Sequence, residues 1–80
     1  MTSQSNRDVR LERLAKHIEQ HLKEREFYLV FEDEVERYWP SNIEKAERER
    51  QIQDFAKSRG WNAFIFNTES GGARAMFLHQ

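Results

Sequence analysis

His17 and His21 stand four residues apart, the spacing at which two imidazoles on one helix can share a metal ion. Such a centre needs further ligands, and the chain offers neither an HExxH pair nor a single cysteine. The expectation is two partly exposed histidines flanking an apolar helix stripe, with no metal and no cofactor. The run FEDEVE, residues 31–36, places four carboxylates in six positions. Acids so grouped can hold a divalent cation or work as an acid–base pair. No EF-hand spacing surrounds these, and a chain of 80 residues leaves little room for a cleft. At the start of a helix the macrodipole favours the same acids, which is the simpler reading. SGG, residues 70–72, precedes a strand pattern rather than a helix, so it does not cradle a phosphate. No serine or threonine stands beside an evident base. The chain reads as a protein without catalytic residues, and therefore as no enzyme.

The aromatic residues are the other candidates: six Phe, two Tyr and two Trp. Tyr38, Trp39, Trp61, Phe64 and Phe66 could stack on single-stranded bases if exposed, but such platforms come with surrounding cations, which are few here. Core packing accounts for most of them. Any that remain on the surface would form a partner-binding patch, because aromatics are enriched at interfaces. Trp39, Trp61, Phe64 and Phe66 are the expected anchors of such a patch.

These residues need a scaffold, and the composition bounds it. Eighty residues make a single domain, 1–80, with residues 1–5 expected to be a disordered tail. The aromatics offer enough area for one modest core, each large apolar side chain contributing roughly 1.5–3 kcal/mol when fully buried. Thirteen Lys and Arg against fourteen Asp and Glu leave a net charge of -1. Neither half carries the positive field that draws a protein to phosphate backbones. The opening residues lack the apolar segment of a secretory signal, and no run approaches the roughly 20 apolar residues that span a bilayer. A soluble, cytoplasmic protein without membrane contact is expected.

Along the chain, SNRD reads as a capping box with Ser5 and Asp8 in the two roles. Leu11, Leu14, Ala15, Ile18 and Leu22 then recur at helical spacing, predicting an amphipathic helix over about 7–24. In EFYLVFEDEVERYWP, Phe27, Phe31, Val35 and Tyr38 fit helical spacing, yet FYLVF is rich in strand formers. The split reading is preferred: an extended piece near 27–30, then a helix over about 32–39, ended by Pro40. SNIE is a second capping box, Ser41 with Glu44, opening a helix that runs to about Arg59 and stops at Gly60 as its C′ residue. Its buried stripe is Ile52, Phe55 and Ala56, extended by the stems of Arg48 and Arg59. WNAFIFN and ARAMFLH flank TESGG and predict a β-hairpin. Both faces of its first strand are apolar, so that strand is either covered on both sides or leaves an aromatic patch in solvent.

The expected class is α+β: three helices followed by a C-terminal β-hairpin, with a short extra strand near 27–30. This order resembles a winged-helix (winged helix-turn-helix) domain over nearly the whole chain. The resemblance implies that the third helix enters a DNA major groove and the hairpin wing touches the backbone. Carried over, the reading surface is Ser41, Asn42, Lys45, Glu47, Arg50, Asp54 and Lys57, with a wing from Thr68 to Arg74. As a DNA-binding regulator the chain would use Asn42, Lys45, Arg50, Lys57 and Arg74 for its contacts. Yet Glu47, Arg50, Asp54 and Lys57 alternate in sign on one helix face, the pattern of side chains that pair with each other. A groove reader exposes unpaired donors instead. The leading expectation is therefore a non-catalytic module for protein interaction or self-association, with the DNA-binding regulator as the alternative.

Overall fold

The computed structural model describes the backbone of residues 3–80 and the side chains of residues 9–80. Helix α1 spans Ser3–Glu24. It starts four residues before the expected position. Met1 and Thr2, and the Ser5 and Asp8 side chains of the first capping box, lie outside the described residues. Leu14, Ala15, Ile18 and Leu22 are buried, and Leu11 packs against them half-buried. The helical spacing thus marked the inward face correctly.

The split reading of the next segment holds. Strand β1 is Phe27–Val30 and helix α2 is Glu32–Tyr38. Phe31 between them is extended (φ -83°, ψ 172°), and its carbonyl accepts from the Glu34 and Val35 amides at 3.1 and 2.9 Å. One residue therefore ends the strand and starts the helix. Trp39 leaves helical geometry (φ -134°, ψ 82°), as the following proline requires, so α2 stops one residue earlier than expected.

Helix α3 is Lys45–Lys57, shorter at both ends than the sequence suggested. The second capping box does not form. Ser41 turns back to α2, its amide and hydroxyl both donating to Glu36 Oε2 at 3.0 and 3.1 Å. Glu44 takes the N-cap position and makes no side-chain cap bond. At the other end Ser58 is the C-cap, and Gly60 stands two residues beyond it rather than at C′. The turn is closed by hydrogen bonds from the Ser58, Arg59 and Gly60 amides to the Asp54, Ala56 and Lys57 carbonyls. Gly60 takes φ +79°, which a side chain would resist.

Strands β2 (Trp61–Asn67) and β3 (Ala73–His79) form the expected hairpin, and β1 adds to the free edge of β3. The sheet is antiparallel with order β1-β3-β2. In all, the fold is α+β, three helices with a three-stranded sheet, and is compatible with a winged-helix arrangement. The helices cover one sheet face, whose residues are Trp61, Ala63 and Ile65 of β2 and Ala73, Ala75 and Phe77 of β3. Over this face Trp39, Phe55, Trp61 and Phe77 pack edge-to-face with centroids 5.4–6.3 Å apart. No helix among the described residues is long and apolar enough to cross a membrane.

Candidate functional site

The register builds the opposite sheet face from alternate residues. Antiparallel partners lie on the same side, so β1, β3 and β2 present three rows. Phe27, Leu78 and Asn62 form one row and Leu29, Met76 and Phe64 the next. The third pairs Arg74 with Phe66 and is extended by Phe31, over whose ring the Arg74 guanidinium lies at 5.3 Å. Phe27, Phe31, Phe64 and Phe66 are each about half exposed, while Leu29, Met76 and Leu78 are half-buried between them. The four phenylalanines alone leave on the order of 400 Å² of apolar surface in solvent. That already falls within the roughly 300–600 Å² of the largest patch on a typical monomer.

Ala63, Ala73 and Ala75 point at the helices beside Trp61, Ile65 and Phe77, while Phe64, Phe66, Met76 and Leu78 point away. The charged group within the face is neutralised locally, because Arg74 Nε donates to Glu32 Oε1 at 3.0 Å. The edge of β2 is partly closed, since the Gln53 amide donates to the Ala63 carbonyl at 2.9 Å.

The four expected anchors separate. Phe64 and Phe66 lie on the open face, whereas Trp39 and Trp61 are core residues, 1 % and 5 % exposed. Trp39 is packed edge-on to Phe55, and Trp61 lies between Phe55 and Phe77. Their burial in the core corrects their place among the surface anchors. Sequence reasoning missed Phe27, Leu29, Phe31, Met76 and Leu78. For Met76 the alternation of small Ala73 and Ala75 with larger Arg74 and Met76 was the available signal.

The α3 surface is self-paired around Arg50. Arg50 donates to Glu47 at 2.6 and 3.1 Å and to Asp54 at 3.2 Å. Arg74 is held by Glu32 and Phe31, as above. Of the five residues assigned to DNA, Asn42, Lys45 and Lys57 stay exposed without such an ion pair among the described residues. Arg59 pairs with Glu12 of α1 and lies 6.0 Å from the Phe55 ring, tying the end of α3 to the first helix.

His17 and His21 approach to 4.8 Å between ring centroids, and His21 stacks on Tyr28 at 4.6 Å. Burial, then the charge of Glu34 and the neighbouring Tyr38, push the Tyr28 phenol above its ordinary value. These rings form an aromatic contact between α1 and β1, and no group of three or more candidate ligands accompanies them among the described residues.

Among the described residues, two carboxylates are held below their ordinary value of 4.5. Glu32 is held down by a hydrogen bond from its own backbone amide and then by Arg74; Glu47 is held down by Arg50 and then Gln51. Folding thus favours the ionised forms. Their contribution is complete above the unfolded value and is lost as pH falls through the depressed folded values. Thermal melting across the acid range is expected to show stability falling below that value, with a shallower fall in Glu47→Gln and Glu32→Gln. Both pairs are exposed, so added salt should shrink the difference.

No protein-family model, curated protein or solved structure gives a significant match to this chain. The reading of function therefore rests on geometry and chemistry alone.

Proposed function

We propose that this chain is a non-catalytic, winged-helix-like interaction domain that associates with a second copy of itself through the open face of its sheet. The observation that carries the reading is the set of half-exposed rings on the uncovered sheet face, Phe27, Phe31, Phe64 and Phe66. A cytoplasmic setting belongs to the same reading.

Self-pairing suits this face for two reasons. Its single charge is already paired with Glu32, so two copies meeting about a two-fold axis bury no uncompensated charge. Two antiparallel sheets also stack face to face at about 10 Å, a separation that phenylalanines fill. The phenylalanines of both copies bring about 800 Å² together, and Leu29, Met76 and Leu78 carry the total toward the roughly 1,200 Å² at which stable interfaces begin. An interface at the small end of the stable range predicts a weak, reversible dimer.

Sedimentation velocity over a concentration series tests this. A mass rising from monomer toward dimer supports the reading. A strict monomer at millimolar concentration overturns it. Mixed-sequence duplex at low salt is the companion titration: salt-sensitive binding centred on Asn42, Lys45 and Lys57 would install the DNA-regulator reading instead.

A further inference from the structure

Arg48 is the one charged side chain in the described core, 4 % exposed. Its Nη2 donates to the Gly71 carbonyl at 3.3 Å, but its Nη1 is fully buried and has no hydrogen-bond partner. The nearest carboxylate oxygen, Glu36 Oε1, stands off at 4.0 Å, and the other oxygen of Glu36 is already taken by Ser41. A buried guanidinium short of an acceptor is unfavourable by itself, because its lost hydration is not replaced.

Arg48 lines a cleft of about 190 Å³ between the start of α3 and the β2–β3 turn. Ser41, Lys45, Asn67, Thr68 and Gly71 complete its polar wall. The first turn of the 13-residue α3 contributes there as well, since Glu44 leaves it without a side-chain cap. Amides at such a turn are open donors, and the helix end is positive. Lys45 adds a second cation; against these stand the carboxylate of Glu36 and that of Glu49, which accepts from the cleft-lining Asn67 at 2.9 Å. The cleft is smaller than the roughly 300 Å³ at which sites for drug-sized ligands begin, so it suits a compact group.

We infer that this cleft is a binding site for a small phosphate-class oxyanion, held by Arg48 Nη1, the Lys45 ammonium and the open amides at the start of α3. An anion of this kind supplies the acceptor that Arg48 lacks, and charge-assisted hydrogen bonds from a guanidinium are strong ones. Nucleic-acid backbone is a different ligand, which would have to meet Arg50 and Lys57 along α3; the cleft is confined to the first turn. The site is also separate from the open sheet face, so its success or failure is independent of self-association.

The test is titration of inorganic phosphate into isotope-labelled chain at low ionic strength, with sulfate as second probe and chloride at matched ionic strength as control. Saturable amide shifts confined to residues 45–48 and 68–72 are expected with phosphate and sulfate. Lys45→Gln, an exposed change that leaves the fold intact, should weaken binding about threefold or more, as loss of one partly exposed charge contact would. Arg48→Met fills the same space without the charge and should abolish the response; if it does not fold, Lys45→Gln together with Thr68→Val decides. Phe64→Thr/Phe66→Thr should bind phosphate like the parent. Absence of saturable shifts, an equal response to chloride, or binding of duplex alone would overturn the inference.

Discussion

Replacing Phe64 and Phe66 together by threonine leaves the chain folded and lowers its self-association by a hundredfold or more. Central aromatic anchors of an interface typically contribute about 2 kcal/mol or more each, so losing two on each copy exceeds that factor. Threonine is chosen because it keeps the strand preference of phenylalanine while removing the ring. Both side chains point away from the helices, so the core loses nothing. Circular dichroism of parent and variant should superimpose while their sedimentation differs. A variant that sediments like the parent would place the contact elsewhere. A variant that unfolds would mean that the two rings support the monomer instead.

Trp39→Ala has the opposite signature. Trp39 is among the largest fully buried side chains, and it joins the end of α2 to Phe55 of α3. Truncating a buried tryptophan costs about 3–5 kcal/mol. A chain of this length has roughly 4–12 kcal/mol in total, at about 0.05–0.15 kcal/mol per residue. The melting temperature should fall by roughly 15–30 °C, at about 4–8 °C per kcal/mol for small domains. Urea unfolding followed by circular dichroism measures the change directly. A variant as stable as the parent but unable to associate would return Trp39 to the surface role that its burial denies.

The contrast between these two substitutions marks what the sequence could and could not disclose. Periodicity identified the α1 stripe, the α3 stripe of Ile52, Phe55 and Ala56, and the hairpin, because each depends on alternation within one segment. The break at Phe31 was legible from strand formers giving way to acids. The capping assignment at Ser41 failed for a tertiary reason: Glu36, five residues back on α2, offers a better acceptor arrangement than the local box. The same limit governed the aromatics. Four aromatic candidates divide into two core rings and two surface rings: Trp39 is buried at the end of α2, and Trp61 lies on the helix-covered face of β2 opposite Phe64 and Phe66. The pairing of Arg50 with Glu47 and Asp54 was readable, since it lies within one helix at three- and four-residue spacings. The burial of Arg48 NH groups against Gly71 was not, since it joins residues far apart in the chain.

Amide and side-chain chemical shifts recorded between roughly 10 µM and 1 mM chain test the open sheet face as the association surface most directly, because a weak dimer fills progressively across that interval. Concentration-dependent shifts confined to Phe27, Leu29, Phe64, Phe66, Met76, Leu78 and their strand neighbours are the predicted result. Spectra that do not change across the series, or changes centred on the exposed face of α3, would contradict it.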